Sequence, residues 1–561
     1  MIDNILLKFG SAPGGPPLTV DTTPLTIFVG PNNAGKSKIL AELQGWCGSI
    51  AGNVNDALIA AVRFSPYAQA AIEAEITAIT LPAEPHENVS AREAIIGGIN
   101  PQSGSPFRIR VDKPSLFAEA QNPQGNMPHF GGFLLANTLR LDGTNRLNLL
   151  AHQQAGDLQR NPANILSKLF LDNELRGQLR DVVFDGIGRY LVIDPTNIGQ
   201  LRVRLSKVAP RTEREEKGWE DESVMFHREA LEIAKSSDGI RAFVGVLAVM
   251  QAGQPKIAMI DEPEAFLHPA LAQKLGSALA RTLRRSRKRL FVATHSANFL
   301  MGCIQANVPL NIVRLTYTEG APTARLLQRD KIARLMRHPL LRSTGVLSGL
   351  FYEAVVVTEA DSDRAFYQEV NERLLAAGDP RGIANCLFLN AQNKQTVWDI
   401  VKPLREMGIP SAGIVDIDVL VDGGQVWAKP LEGALLPALL HDALHRERVA
   451  VHDALRATGR RFKTEGGLDV LAPDAREAAD MLFRRFAEYG AFIVPCGEVE
   501  SWLPDLGAPG HGSAWLVAIF ELMGDDPEAA NYCRPTAGDV WDFVGAVKSW
   551  ISNAERRGIP T

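Results

Sequence analysis

A chain of 561 residues is too long to fold around one hydrophobic core, so two or three domains are expected. Its apolar share of 45% and charged share of 22% are those of a globular protein and exclude a disordered chain. A formal net charge of −5 excludes a generic polyanion binder, so any nucleic-acid surface must be a local patch. The five cysteines, at positions 47, 303, 386, 496 and 533, form no C-x-x-C pair and no metal-ligand spacing, which fits reduced thiols. No secretory signal opens the chain and no apolar run approaches the ~18–20 residues that span a bilayer, so a cytoplasmic protein without a membrane partner is expected.

The first clear element is the apolar run Leu25 to Val29, a buried strand, which enters Gly30-Pro31-Asn32-Asn33-Ala34-Gly35-Lys36-Ser37. Apolar residues Ile39, Leu40, Leu43 and Trp46 then recur at helical spacing. A glycine-rich loop between a strand and a helix is the context that makes a phosphate-binding motif meaningful. Gly30 and Gly35 let the loop curl so that backbone N–H groups, with Asn32 and Asn33 between them, face the phosphates of ATP. Lys36 neutralises phosphate charge and the Ser37 hydroxyl can coordinate Mg²⁺.

Residues from about 50 to 230 mix helical stretches, such as Asn164 to Gly186, with Gly- and Pro-rich loops at Asn100 to Pro106 and Asn122 to Gly131. Leu201 to Leu205 alternates as a half-exposed strand. The region is read as the rest of the ATPase domain with a helical insertion. Ser237-Asp238-Gly239 then opens an apolar helix, whose N-terminus is an anion site. Lys256 to Ile260 is a buried strand that delivers Asp261, placed to hold Mg²⁺, and Glu262, placed to orient the attacking water. Leu290 to Ala293 is another strand, and it ends at Thr294-His295-Ser296, where an imidazole can meet the γ-phosphate. Just before it lies the densest basic cluster, Arg281, Arg284, Arg285, Arg287, Lys288 and Arg289, which suits either a solvated helix end or a DNA contact.

Ala354 to Thr358 opens a second α/β unit, and Arg334 to Phe351 before it lacks a flexible Ser/Gly linker. Strands follow at Leu387 to Leu389, Ala412 to Val415 and Phe492 to Pro495, with a mainly helical stretch from about 420 to 490. Glu359 and Asp363 follow the first strand. Asp416 and Asp418 are expected on one side of a strand end, because side chains alternate. Glu498, with Glu500 as its alternate, follows the last strand. Carboxylates at the ends of parallel strands make a hard oxygen site for Mg²⁺ or Mn²⁺, and such a site suits phosphodiester cleavage.

The ATPase motifs resemble those of the OLD (overcoming lysogenization defect) family and its RecF- and SMC-like relatives. The order glutamate, Asp-x-Asp, Glu-x-Glu is similar to that of a Toprim domain, the second half of OLD-type nucleases. The implied fold is α/β: an ABC-type P-loop ATPase domain over 1–335, with a helical or dimerisation insertion at about 60–230, then a Toprim nuclease domain over 345–561, with a helical insertion at about 420–490. The resemblance implies that Ser237 and Gly239 of one protomer complete the ATP site of another in a homodimer or higher oligomer. It implies metal ligation by Glu359, Asp363, Asp416, Asp418 and Glu498 or Glu500, and a transition-state role for Lys548. Asn393-Lys394 is a candidate for the rim of that site. One departure from the pattern is Ala360, where the family usually carries glycine. The function implied is an ATP-hydrolysing, metal-dependent DNA endonuclease of anti-phage defence. The alternatives are an RNA (tRNA) nuclease and an ATP-dependent sensor with an inactive Toprim unit that recruits a partner defence protein.

Overall fold

Unbroken apolar runs specify strands covered on both faces, and the two main sheets are built from them. The computed structural model describes residues 1–49, 55–125, 127–284, 287–318, 320–327, 332 and 345–560. Two units are distinguished, Met1–Arg329 and Asp330–Thr561. Within the basic cluster, Arg285 lies outside the described residues, as do residues 334–344 of the expected junction; Val346–Phe351 beyond them is a 3-10 helix. Among the described residues no helix is long and apolar enough to cross a membrane.

The first unit is organised by a six-stranded sheet in the order Ala321–Leu327, Leu310–Thr318, Leu25–Val29, Arg289–Ala293, Ile257–Asp261, Thr138–Leu141. All neighbours are parallel except the hairpin formed by the first two. Asp261 is level with Ala293 and Ala293 with Phe28, so the carboxyl ends of three central strands meet at one edge. Helix Lys36–Ser49 starts from that edge and buries Ile39, Leu40 and Leu43.

The region between about 60 and 230 differs from the helical insertion expected. It holds an antiparallel sheet of Thr80–Leu81, Glu93–Ile99 and Pro106–Asp112, and a second sheet around the hairpin Tyr190–Asn197 and Gln200–Ser206. The strand alternation in these segments is interrupted by Gly97 and Gly98 and by polar residues, which conceals it in the sequence. The expected loop at Asn122 to Gly131 becomes helical at Pro128, because a proline at the first helical position is pre-set for it. Asn164 to Gly186 is two helices, Ile165–Leu171 and Asn173–Ile187, divided at Asp172, whose side chain caps the second.

The second unit has a four-stranded parallel sheet ordered Cys386–Asn390, Ala354–Thr358, Ser411–Val415, Ala491–Ile493. The chain winds outward in one direction from Ala354–Thr358 and in the other from Ser411–Val415. The strand order therefore reverses between these two, which leaves a crevice beyond their carboxyl ends. Helices Asp361–Ala376 and Lys394–Glu406 are crossovers, the second capped by the Asn393 side chain, which accepts from the N–H groups of Gln395 and Thr396.

Arg405 fixes the opposite end of this sheet. Fully buried, it donates to the carbonyls of Ser411 (2.8 Å), Ala434 (2.7 Å) and Gly490 (3.0 Å) and lies over the Trp550 ring. Burial alone pushes its guanidinium down to about 9. Arg405→Met takes the donor from the Ser411 and Ala434 carbonyls, whereas the Gly490 carbonyl keeps the Gly413 N–H. It is expected to destabilise the second unit by about 3 kcal/mol, read from the shift of its urea unfolding transition.

Candidate functional site

The loop after Leu25–Val29 turns where only glycine fits. Gly30 has φ +143°, and a Cβ there would lie 2.0 Å from the Leu315 carbonyl oxygen of the neighbouring strand. Asn33 and Gly35 also have positive φ, which completes the curl. Lys36 is buried and its ammonium donates to the carbonyls of Gly30 (2.8 Å) and Pro31 (2.6 Å). Burial pushes it down to about 8, against the opposing pull of Glu262, Asp261 and Glu264.

The acidic side of this site stands at the end of Ile257–Asp261. Burial raises the Asp261 carboxyl, opposed by a hydrogen bond from Ser37, and its Oδ1 is buried with no hydrogen-bond partner among the described residues. A hydroxyl beside an orphaned carboxylate oxygen fits Mg²⁺. Glu262 sits at φ +47°, donates its N–H to Ala293 (2.8 Å) and accepts Arg146 at its carbonyl. That backbone turns its exposed side chain toward His295, whose Nε2 lies 3.4 Å from Glu262 Oε1. Burial lowers the His295 imidazole, aided by Lys36.

The structure thus brings Gly30, Gly35, Lys36, Ser37, Asp261, Glu262 and His295 into one locality. It also adds two residues that sequence reasoning missed. Glu264 accepts from Thr294 Oγ1 (2.7 Å) and the His295 N–H (2.8 Å), and its carboxyl is raised by burial. Its signal was present, as the third acid of Asp261-Glu262-Pro263-Glu264. Arg146, almost fully buried, had no signal, since it stands alone in a 3-10 turn. Ser237 lies elsewhere, as the exposed cap of helix Asp238–Ala248, with Gly239 packed so closely on Phe266 that a Cβ would meet its carbonyl oxygen at 2.5 Å.

In the second unit the carboxylates gather in the crevice between the two central strands. Glu359 Oε1 accepts the Asp416 N–H (2.9 Å), which ties the ends of both strands. Asp363, one turn into its helix, accepts the Ala360 N–H (3.1 Å). Ala360 is extended, at φ −116°, so this backbone has no need of glycine. Asp416 and Asp418 are not on a strand, contrary to the alternation argument. The strand ends at Val415 and a 3-10 turn, Ile417–Leu420, begins, so both acids are gathered by a turn.

What holds them together is Lys463, from the stretch read as an insertion. Its Nζ lies 2.9 Å from Asp416 Oδ2, 3.1 Å from Asp418 Oδ2 and 4.0 Å from Glu498 Oε2. The approach depends on Gly497, at φ +117°, where a Cβ would lie 2.0 Å from the Lys463 carbonyl oxygen. Lys394 adds a second cation, 3.4 Å from Asp418 Oδ1 and paired with Asp422. Among the described residues the lysines paired with this cluster are Lys463 and Lys394, not Lys548, which stands half-buried on helix Asp539–Ser552.

Glu498 and Glu500 meet at His511, whose ring nitrogens lie 3.7 Å and 3.4 Å from them. Their loop is pinned to the Asp363 helix by Trp502 Nε1, which donates to Tyr367 Oη (2.9 Å). Burial, then the Asp416 charge, pushes Glu359 up to about 8. Burial pushes Asp416 up to about 7 even though Lys463 opposes it. Asp363 and Glu498 are also raised, mainly by burial. Buried carboxylates that resist ionisation together are the donor set a divalent cation relieves.

A family model described as AAA domain, putative AbiEii toxin, Type IV TA system matches residues 133–301. The first unit therefore contains a P-loop ATPase domain, and the matched span includes Arg146, Ser237, Asp261, Glu262, Glu264 and His295. Among curated proteins there is no match. Similar solved structures include the Smc head bound to the C-winged helix domain of ScpA, at 15% identity, covering 59% of this chain and 99% of that one, with a TM-score of 0.34. The Smc head with an extended coiled coil bound to the C-terminal domain of ScpA, from Pyrococcus furiosus, is 13% identical over 60% of this chain and 98% of that one, with a TM-score of 0.32. The SMC head domain from Thermotoga maritima is 16% identical over 58% and 99%, with a TM-score of 0.29.

Two outcomes are expected. Gly30→Ala drives a methyl into the Leu315 carbonyl and should weaken ATP binding by about 100-fold, measured by titration with a fluorescent ATP analogue while the circular dichroism stays unchanged. Glu359 and Asp416 have folded pKa values raised above their unfolded ones. Their stabilising contribution to the metal-free protein is full below about pH 4 and is lost as pH rises through about 7 and about 8. The melting temperature of the second unit should fall over that window and recover on adding Mn²⁺.

Proposed function

We propose that the chain is an ATP-controlled, divalent-metal-dependent nuclease of the OLD type, with residues 1–335 as an ABC-type ATPase domain and 345–561 as a Toprim nuclease domain. The observation that carries this reading is the convergence of Glu359, Asp363, Asp416, Asp418 and Glu498 beyond the carboxyl ends of a parallel sheet, at the point where strand order reverses. Glu359, Asp416 and Asp418 would hold Mg²⁺ or Mn²⁺, with Asp363 and the Glu498–Glu500 pair beside them. A cation held there would supply an activated water and stabilise the leaving oxygen of a phosphodiester. Lys463 and Lys394 supply positive charge where the phosphate must lie, the role that resemblance assigns to Lys548.

In the ATPase unit, Lys36 would bind phosphate, Ser37 and Asp261 would hold Mg²⁺, and Glu262 would orient the attacking water beside His295. Ser237 stands exposed at a helix N-terminus, with Gly239 half-buried behind it, which supports the use of this end by a second protomer in a homodimer. DNA is the substrate the resemblance favours and RNA the alternative; defence against phage is the setting it suggests.

The description of the matching family model favours a second reading, in which the chain is the toxin of a type IV toxin–antitoxin system. The test is cleavage of plasmid DNA and of tRNA by purified protein with Mn²⁺, with and without ATP. Asp416→Asn should lower the cleavage rate at least about 100-fold while ATP hydrolysis persists. Equal absence of cleavage by wild type and Asp416→Asn on both substrates rejects the nuclease reading and leaves the toxin reading.

A further inference from the structure

Neither site uses the cations at the other edge of the first sheet. Lys256 immediately precedes one central strand and Arg289 begins the next. Five-residue strands at about 3.3 Å per residue put this edge about 16 Å from Asp261 and His295. Two adjoining clefts open there, of about 470 and 350 Å³. Both are lined by Met1, Tyr67, Ala71 and Arg287; Arg289 lines the first, and Lys256 and Lys288 the second. Glu75, paired with Lys256, is the one carboxylate among these linings.

Arg287, Arg289, Lys256 and Lys288 crowd this confined space, where Glu75 faces Lys256 and Asp3 faces Arg289, and gathering cations there is costly. Burial and the neighbouring Lys288 charge push the Lys256 ammonium down to about 8, and burial also lowers Lys288 and Arg289. Arg289 is oriented by its Nε bond to Thr22 Oγ1 (3.2 Å), whereas Arg287 is exposed. Tyr67 stands edge-on to Phe130 beside Arg287. The second cleft shares Gln254 and Lys288 with a groove of about 860 Å³, where Lys274 pairs with Asp185.

We infer that these clefts form a phosphate-binding site separate from the ATP site, with Arg287, Arg289, Lys256 and Lys288 as its cations. Guanidinium groups take phosphate oxygens in pairs and lose less than ammonium on desolvation, which suits them to this place. The two clefts adjoin through shared lining residues and together are larger than one small anion needs, so the backbone of a nucleic-acid strand is the favoured source of the phosphate, with Tyr67 available to stack on a base. This assignment is independent of the nuclease reading.

The test is fluorescence anisotropy of a labelled single-stranded 20-mer in EDTA without ATP, conditions that silence metal-dependent binding elsewhere. Arg287→Glu should weaken binding at least tenfold and flatten its salt dependence, with melting temperature and Mg-ATP binding unchanged. Pyrophosphate is the second probe. A melting shift that survives Lys36→Ala and is lost in Arg287→Glu identifies a small phosphate ligand at the same site. If the wild type binds neither probe, or Arg287→Glu binds both as the wild type does, the assignment is overturned.

Discussion

Carboxylates that share a small volume repel one another, and keeping Glu359, Asp416, Asp418 and Glu498 together governs how the second unit is built. The unit answers the repulsion in three ways. Burial keeps Glu359 and Asp416 partly protonated near neutral pH. The Asp416 N–H donates to one oxygen of Glu359. Lys463 reaches in from another part of the chain to contact three of the acids. The packing around the crevice serves these contacts: Gly497 admits the Lys463 backbone, Trp502 locks the Glu498 loop to Tyr367, and Arg405 holds the far ends of the strands in register.

The first unit solves the complementary problem. One buried ammonium, Lys36, stands before Asp261, Glu262 and Glu264, and its proton is held less firmly than that of a solvated lysine. The loop carbonyls of Gly30 and Pro31 take its hydrogen bonds. In both units the candidate site lies at the carboxyl edge of a largely parallel sheet, because there several strands deliver side chains and free N–H groups to one point.

Much of this was legible in the sequence because it is local. Leu25–Val29 and Ala354–Thr358 are buried runs with their functional residues directly attached. The loop from Gly30 to Ser37 and the acids after Ile260 needed only spacing and order. What the sequence concealed depends on contacts between distant segments. Lys463 is an unremarkable lysine until Gly497 brings its loop to the crevice. Arg146 acquires its place through the Glu262 carbonyl, 116 positions away. Asp416 and Asp418 are gathered by a 3-10 turn, a geometry that strand alternation does not describe. The region from 60 to 230 hid two small sheets, whose short strands leave a weaker periodic signal than its helices.

The roles of Glu359, Asp416 and Asp418 require the crevice of the second unit to be a cation site. The most direct measurement is anomalous scattering from a crystal soaked in Mn²⁺. A manganese peak within coordination distance of Glu359, Asp416 and Asp418, with the Lys463 ammonium displaced from them, is the result predicted. Saturating Mn²⁺ with no peak in that crevice, and Lys463 still paired to both aspartates, would contradict it.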